Sequence, residues 1–269
     1  MTRDLALMAA LTGKSIVIIG GTTGLGLSAA LAFQEAGAAL VVVGRDEKGV
    51  DTSLASLGPS VRAFAGDACN PATATRAVEI ATRTFGRFDG LYHVAGGSGR
   101  RMGDGPLHEM TDEGWRATLD LNLTSVMYSN RAAIRQFLAQ GNGGAILNMG
   151  SVLSFSPSPK YFATHAYAAA KSGIIGFSQS IAACYAAQNI RVNVIAPGLV
   201  ETPMSQRAAG DREIQGFMRY KQPLDGGRIG QPQDLDAAAV FLMSEGAKFC
   251  TGQVLAIDGG WSVSEGQEI

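Results

Sequence analysis

The feature that most constrains the fold is an alternation of short apolar runs with longer helical segments along the whole chain. The run SIVIIG at residues 15–20 is continuous and β-branched, which favours a strand buried on both faces. The turn GGTTGLG follows it, and residues 25–36 then carry apolar side chains at helical spacing. Because this order recurs, the sequence predicts a doubly wound parallel sheet with helices on both faces, a three-layer α/β/α domain.

The remaining elements follow the same order. Further strands are predicted at residues 39–43, 61–65, 89–95, 144–149, 190–196 and 253–257. Helices are predicted at residues 47–57, 71–85, 111–140, 163–188 and 232–244, and residues 201–230 are expected to be less regular. Thr111 is a candidate cap for the longest helix. No repeat or linker divides the chain, so we predict one domain over residues 1–269.

Composition excludes several classes of protein. With 46% hydrophobic and 17% charged residues, the chain is too apolar to be disordered. The net charge of −1 offers no basic field for a nucleic acid, so no nucleic-acid partner is expected. Three scattered cysteines, Cys69, Cys184 and Cys250, fit neither a disulfide framework nor a Cys-x-x-Cys site, and no metal is predicted.

No apolar run reaches the roughly eighteen residues of a membrane span, so no membrane partner is expected. The apolar stretch from Leu5 to Leu11, preceded by Arg3, weakly resembles a secretory signal. Gly13 and Lys14 interrupt it just before the first strand. We therefore predict a cytoplasmic location.

The turn after the first strand carries the motif G-x-x-x-G-x-G. In such a turn, backbone N–H groups and the positive end of the following helix can hold a pyrophosphate, and a Cβ on the glycines would block its approach. A tight connection that binds no ligand is the alternative. The residues expected to contact a dinucleotide here are Gly20, Thr22, Thr23, Gly24, Leu25 and Gly26.

The end of the second predicted strand should reach the adenosine ribose, about 20 residues beyond the glycines. The planar guanidinium of Arg45 suits a 2′-phosphate and favours NADP(H). Asp46 could instead accept a hydrogen bond from the free 2′-hydroxyl of NAD(H), or cap the helix that begins near Glu47. The prediction is NADP(H), with NAD(H) as the alternative.

Three residues further along suggest proton transfer. Tyr167 and Lys171 stand four residues apart on a predicted helix, so their side chains share one face. A nearby ammonium group favours the phenolate and would lower the tyrosine pKa. Ser151, after the fifth predicted strand, can donate a hydrogen bond to a carbonyl oxygen that gains negative charge. A mere surface contact on the helix is the alternative interpretation.

Taken in order, these motifs make the sequence resemble the single-domain short-chain dehydrogenase/reductase family, whose domain is a Rossmann fold. The resemblance extends over about residues 13–261. It is carried by the glycine motif, Asp67 and Ala68, Ala95 and Gly96, Asn122, Ser151, Tyr167 and Lys171, Pro197 and Gly198, Thr202, and the closing Asp258, Gly259 and Gly260.

The resemblance implies catalytic roles for four residues. Tyr167 would be the acid in carbonyl reduction and the base in alcohol oxidation. Lys171 would lower its pKa and hold the nicotinamide ribose. Ser151 would polarise the substrate oxygen, and Asn122 would hold a water that links Lys171 to solvent. A polar residue bonded to nearby backbone is the alternative for Asn122.

The resemblance also implies a set of contacts to the cofactor. Asp67 and Ala68 would flank the adenine, and Val200 with Thr202 would fix the nicotinamide. The remaining members of the predicted cofactor set are Ala95, Gly96, Pro197 and Gly198, together with Arg45, Tyr167 and Lys171.

Two positions depart from the family pattern. Ile19 replaces the usual threonine, and His93 with Val94 replaces the usual Asn-Asn pair. We predict that Ile19 and Val94 pack together as a compensated apolar pair. At the end of a buried strand, His93 is interpreted as a hydrogen-bonded structural residue. Arg100 and Arg101 could meet an acidic substrate, although a solvated charged loop is the simpler interpretation.

The segment at residues 201–227 corresponds to the mobile substrate lid of the family. Its apolar side chains, with Leu153 and Phe155, predict a largely apolar pocket for a small alcohol or ketone. Helices 111–140 and 163–188 correspond to those that pair between subunits, which predicts a homotetramer, with a dimer as the alternative.

We therefore predict an NADP(H)-dependent oxidoreductase that interconverts a secondary alcohol and a ketone, with Tyr167 as acid and base. One alternative is an NAD(H)-dependent dehydrogenase of the same family. A catalytically silent cofactor-binding regulatory protein is the other.

Overall fold

The computed structural model describes residues 9–58 and 61–267. Seven strands lie within these residues: β1 (Ser15–Ile19), β2 (Ala39–Gly44), β3 (Val61–Ala65), β4 (Gly90–His93), β5 (Gly144–Met149), β6 (Ile190–Pro197) and β7 (Val254–Ile257). All pair in parallel in one sheet of order β3-β2-β1-β4-β5-β6-β7. The order reverses between β1 and β4, so a crevice opens at the carboxyl ends of these strands.

Helices cover both faces of the sheet. They are α1 (Gly24–Glu35), α2 (Glu47–Ser56), α3 (Pro71–Phe85), α4 (Asp112–Leu119), α5 (Ser125–Gln140), α6 (Pro159–Phe162), α7 (His165–Tyr185), α8 (Gln206–Ala209), α9 (Arg212–Lys221) and α10 (Asp236–Met243). Side chains of α1 and α10 fill the core on one face, and those of α3, α5 and α7 fill the core on the other. The predicted three-layer, doubly wound Rossmann fold is confirmed.

The helix predicted over residues 111–140 contains a break. Thr111 caps its first part as expected, because its hydroxyl oxygen accepts from the Gly114 N–H at 2.9 Å. A π-helical turn, Asp120–Thr124, then separates α4 from α5, and the Ser125 N–H donates to the Asp120 carbonyl five residues back. A π-turn turns the helix face locally, and the turn carries Asn122.

The segment predicted as less regular contains two helices, α8 and α9. The Asp211 side chain caps α9, accepting from the N–H groups of Glu213 and Ile214 at 2.9 and 3.2 Å. Ile214 and Met218, four residues apart, are buried. An aspartate followed by this spacing is a helix signal that the sequence analysis missed.

The predicted contact between Ile19 and Val94 is wrong. Ile19 pairs with His93 in the sheet, so Val94, one residue further, points to the opposite face. Ile19 accordingly packs in one core and Val94 against the other. The Ile19 carbonyl accepts from the N–H groups of Val94 and Ala95 at 2.8 and 2.9 Å, which leaves no orphaned backbone group and ends β4 early.

Within the described residues, no helix has both the length and the apolar character that a membrane span needs. The three cysteines are free thiols. The apolar stretch that begins at Leu5 lies mostly outside the described residues, which start at residue 9.

Candidate active site

The glycine turn between β1 and α1 is held by close backbone contacts. Gly20 has a φ of +87°, and a Cβ there would lie 2.6 Å from the Ala95 nitrogen. A Cβ on Gly26 would collide with the Gly20 carbonyl oxygen. Thr23 precedes α1 without capping it through its side chain, so the first N–H groups of the helix face the crevice. These contacts allow a ligand to approach the backbone of the turn closely.

The loop after β6 lies against the glycine turn. A Cβ on Gly24 would meet the Thr202 side chain at 3.4 Å. The Val200 carbonyl accepts a hydrogen bond from Ser205 Oγ at 2.6 Å, whereas the Val200 N–H bonds to none of the described residues. Pro197 and Gly198 join β6 to this loop. Of these predicted cofactor residues, Thr202 lies against the glycine turn, and Pro197, Gly198 and Val200 precede it in the chain.

The far end of the crevice lies at β2 and β3. Arg45 is exposed and makes no ion pair with the described residues. Asp46 caps α2, accepting from the Gly49 N–H at 2.9 Å, so of its two predicted roles the capping role is the one observed. The buried Thr22 packs beneath this corner, where a Cβ on Gly49 would lie 3.5 Å from its hydroxyl. Arg45 is thus a charged side chain without an ion-pair partner among the described residues.

Asp67 and Ala68 follow β3 on the same side of the sheet. Asp67 is exposed, and its carboxylate accepts from the Cys69 N–H at 2.8 Å. Ala68 is partly buried against the core beneath the sheet. The two residues come shortly after Ala65, which pairs with Gly44 of β2 immediately before Arg45.

Ser151, Tyr167 and Lys171 converge beside β5. The buried Lys171 ammonium donates to the Met149 carbonyl at 2.8 Å, two residues before Ser151, and lies 5.6 Å from the centre of the Tyr167 ring. Ser151 Oγ accepts from the Leu153 N–H at 3.2 Å, which leaves its hydroxyl hydrogen available to the Tyr167 oxygen or to a substrate. A Cβ on Gly96 would lie 3.5 Å from Lys171 Nζ, so the group borders the crevice.

The pKa of Tyr167 is shifted in the direction opposite to the lowering expected from Lys171. Burial raises the pKa of Tyr167 above its ordinary value, and the hydrogen bond with Ser151 acts in the opposite direction without offsetting it. Burial also lowers the pKa of Lys171 to about 7. The lysine is therefore only partly charged at neutral pH, and the phenol keeps its proton.

Asn122 is fully engaged with backbone groups. Its Oδ1 accepts from the Gly97 N–H at 3.0 Å, and its Nδ2 donates to the carbonyls of Gly97 and Thr118, both at 2.9 Å. Both amide hydrogens are used, and the residue is 0% exposed. The alternative interpretation, a polar residue bonded to nearby backbone, is the one observed: the side chain ties the π-turn to the loop after Gly96.

His93 is a buried structural residue, as the sequence analysis preferred. Its Nδ1 lies 2.7 Å from Ser129 Oγ and its Nε2 lies 3.3 Å from Ser125 Oγ. Burial, together with the charge of Lys171, lowers the His93 pKa to about 3, so the ring is neutral. Ser125 also donates to the Leu121 carbonyl at 2.6 Å, so the histidine supports the π-turn that carries Asn122.

One residue that positions this site was not singled out from the sequence. The buried Asp104 carboxylate accepts from the N–H groups of Ala166 and Tyr167 at 3.0 and 2.9 Å. It thereby caps α7 from another segment, at the turn that carries Tyr167. The partners are 62 and 63 residues apart in sequence, so no local capping pattern could reveal them.

Comparison with known proteins places the chain in a family. A family model described as "Enoyl-(Acyl carrier protein) reductase" matches residues 20–262. The chain is 34% identical over 256 residues to the 3beta-hydroxysteroid dehydrogenase 2 of Eggerthella lenta, covering 94% of this chain and 96% of that protein. It is also 34% identical over 255 residues to the 2-dehydro-3-deoxy-D-gluconate 5-dehydrogenase of Dickeya dadantii, with coverages of 93% and 96%.

A solved structure supports the same family. The short-chain type dehydrogenase/reductase from Mycobacterium ulcerans superimposes with a TM-score of 0.88 at 30% identity, over 96% of this chain and 93% of that one. The chain belongs to the short-chain dehydrogenase/reductase family. The predicted enzyme class, an oxidoreductase that acts on CH–OH groups with NAD(P), is confirmed at that level.

Proposed function

We propose that the protein interconverts a secondary alcohol and a ketone with NADP(H), and that Tyr167 is the acid and base of the reaction. The observation that carries this proposal is the convergence of Ser151, Tyr167 and Lys171 at the edge of the crevice between β1 and β4. Family membership gives the reaction class, and the residues at the crevice supply the proton chemistry.

In the reducing direction, bound NADPH would supply the hydride that the carbonyl carbon receives. The Ser151 hydroxyl, whose oxygen already accepts from Leu153, donates its hydrogen to the substrate oxygen. Tyr167, whose raised pKa keeps it protonated at neutral pH, transfers its proton to that oxygen as negative charge develops. In the oxidising direction the same phenol must lose its proton, which the raised pKa disfavours.

Lys171 is suited to return the proton. With a pKa of about 7, it can both hold and release a proton at neutral pH. Its hydrogen bond to the Met149 carbonyl fixes the ammonium beside the phenol. We propose that Asn122 assists through the loop it braces rather than by donating a hydrogen bond, since its amide hydrogens are already used.

NADPH is proposed over NADH because the charges at the adenosine end favour a phosphate. Arg45 is exposed and unpaired among the described residues, whereas Asp46 is committed to capping α2. A guanidinium there can bind a 2′-phosphate through charge-assisted hydrogen bonds. The other proposed cofactor contacts are Gly20, Thr22, Thr23, Gly24, Leu25, Gly26, Asp67, Ala68, Ala95, Gly96, Pro197, Gly198, Val200 and Thr202, with Tyr167 and Lys171.

Residues 201–227 are proposed as a lid over the substrate. α8 and α9 pack on Val152, which directly follows Ser151, and on Trp261. We also propose a homotetramer, supported by the half-exposed Trp115 on α4 and Leu138 on α5, and a cytoplasmic location. The two relatives named above act on different compounds, so the substrate is argued from this chain's own residues.

The proposal is tested by titrating NADPH and NADH into the purified protein and then following nicotinamide absorbance with a panel of ketones and secondary alcohols. We expect tighter binding of NADPH and its oxidation by at least one ketone. Tighter binding of NADH would remove the cofactor preference. Binding without turnover of any compound would favour a regulatory protein instead.

A further inference from the structure

Two guanidinium groups converge on one backbone oxygen beside the crevice. Arg100, in the turn after β4, donates from Nη2 to the Tyr161 carbonyl at 3.0 Å. Arg207, on α8, makes a longer contact of 3.5 Å with the same oxygen. Tyr161 lies on α6, between Ser151 and Tyr167. The loop after β4, the segment before Tyr167 and the proposed lid therefore bring two positive charges to one point.

The acidic groups nearest to this point are already committed. Both oxygens of Asp104 accept from the N–H groups at the start of α7. Glu213 pairs with Lys160 at 2.6 Å and accepts from the Tyr161 hydroxyl at 3.0 Å. Neither Arg100 nor Arg207 makes an ion pair with any part of the chain that the structure describes.

Arg100 lies in an environment that disfavours its charged form. It is partly buried, and this burial and the charge of Arg207 together lower its pKa, while Asp104 acts the other way. A guanidinium has five N–H donors, and Arg100 uses one of them in hydrogen bonds with the described residues. Two like charges with donors to spare form a site that an anion would stabilise.

We propose that Arg100 and Arg207 bind a carboxylate on the substrate, so that the protein acts on a keto acid and the corresponding hydroxy acid. This rests on the proposed function. The planar fork of arginine matches a carboxylate through two parallel hydrogen bonds. The aromatic cluster beside the pair, formed by Tyr161, Phe162, Phe217 and Trp261, offers an apolar wall for the carbon skeleton.

The chain supplies a matched control for the long-range effect of charge. Arg101 follows Arg100 directly, is exposed, and has no hydrogen bond or ion pair with the described residues. Arg101→Gln removes the same charge from the same turn without touching Tyr161. A difference between Arg100→Gln and Arg101→Gln therefore reports the local contact rather than net charge. Arg100→Lys keeps the charge but loses the fork.

The experiment compares 4-oxopentanoate, 5-oxohexanoate and 4-oxocyclohexanecarboxylate with their primary amides, using NADPH. We expect the wild type and Arg101→Gln to reduce at least one acid with a kcat/KM about tenfold or more above that of its amide. In Arg100→Gln and Arg207→Gln this ratio should fall toward one, and Arg100→Lys should be intermediate. Melting temperatures measured in parallel identify any variant that fails to fold.

Calorimetric titration of the same acids into the protein with NADPH separates the two levels of the proposal. Acid binding that is lost in Arg100→Gln and Arg207→Gln but kept in Arg101→Gln supports the anion site even if no compound is turned over, an outcome that would remove the proposed reaction. Equal kcat/KM for acids and amides in the wild type, or a ratio that Arg101→Gln lowers as much as Arg100→Gln, overturns the anion site and leaves the reaction standing.

Discussion

The two ends of the crevice are built by different means. At the nucleotide end, backbone groups touch directly: Gly20 lies against Ala95, and Gly26 lies against Gly20 itself. At the substrate end, single side chains reach between distant segments, as when Asp104 binds the start of α7 and Arg100 binds Tyr161. The backbone contacts at the nucleotide end require glycine, which has no side chain. The contacts at the substrate end each depend on the hydrogen bonds of a single side chain. Substitutions at the two ends should therefore disrupt the protein in different ways.

The largest effect is expected at Tyr167, where the two ends meet. Tyr167→Phe removes the proposed proton donor but keeps the ring, so kcat for ketone reduction should fall by about 10³-fold with little change in NADPH affinity. Stopped assays with excess enzyme would measure the residual rate. Tyr128→Phe, on α5 and outside the proposed catalytic and cofactor residues, is the control and should be unchanged. Retained turnover in Tyr167→Phe would show that another group supplies the proton.

At the nucleotide end, Gly26→Ala should weaken NADPH binding by about 100-fold or more. The added Cβ would collide with the Gly20 carbonyl, so the turn must open and lose its pyrophosphate geometry. Gly176→Ala, at an exposed helical position with no atom near the new Cβ, is the matched control. NADPH fluorescence titration measures both. If the two variants bind NADPH equally, close backbone contact between Gly26 and Gly20 is not required for cofactor binding.

Arg45→Gln tests the charge at the same end without disturbing the backbone. Loss of charge-assisted hydrogen bonds to the 2′-phosphate should weaken NADPH binding by about 10-fold to 100-fold. NADH, which lacks this phosphate, should bind as before. The ratio of the two dissociation constants is the measurement, with Arg62→Gln on the neighbouring strand as the control. A parallel loss for both cofactors would contradict a phosphate contact.

At the substrate end, Asp104→Asn should act through one hydrogen-bonded cap. Asparagine can accept at one oxygen only, so one of the Ala166 and Tyr167 N–H groups loses its partner. We expect the free energy of unfolding to fall by about 1 kcal/mol and kcat to fall about tenfold, with NADPH affinity unchanged. Urea denaturation and steady-state assays would measure these, and Asp112→Asn, an exposed first-turn residue, is the control. An effect on NADPH binding equal to that on kcat would speak against a role confined to the substrate end.

The same contrast explains what the sequence could predict. The sheet, its order of elements and the glycine turn were predictable because apolar runs and glycine spacing are local signals. The cap by Asp104 and the meeting of Arg100 with Arg207 at Tyr161 join residues at least 46 positions apart in sequence, and nothing local marks them. The Ile19 and Val94 prediction was wrong for a related reason: the register between β1 and β4 decides which face a side chain takes, and a one-residue offset reverses it.

A pH-dependent effect on stability is expected from the buried cation at the junction of the two ends. Burial holds the pKa of Lys171 at about 7 in the folded protein, well below its ordinary value of 10.5. Between these two values the unfolded chain binds a proton that the folded chain releases, so folding becomes less favourable as the pH falls from about 10 to 7, and the effect levels off below 7. Lys171→Met has no amino group to titrate, so its stability lacks this contribution to the pH dependence.

The difference in unfolding free energy between Lys171→Met and the wild type should therefore grow in favour of the variant by roughly 1 kcal/mol for each pH unit from about 9 down to 7. Urea denaturation at half-unit steps of pH measures it, and Lys48→Met, at an exposed position, should track the wild type throughout. Stability curves for Lys171→Met and the wild type that run parallel would mean that Lys171 keeps its ordinary pKa. The ammonium would then be fully charged at neutral pH, and its charge would be available to lower the Tyr167 pKa after all.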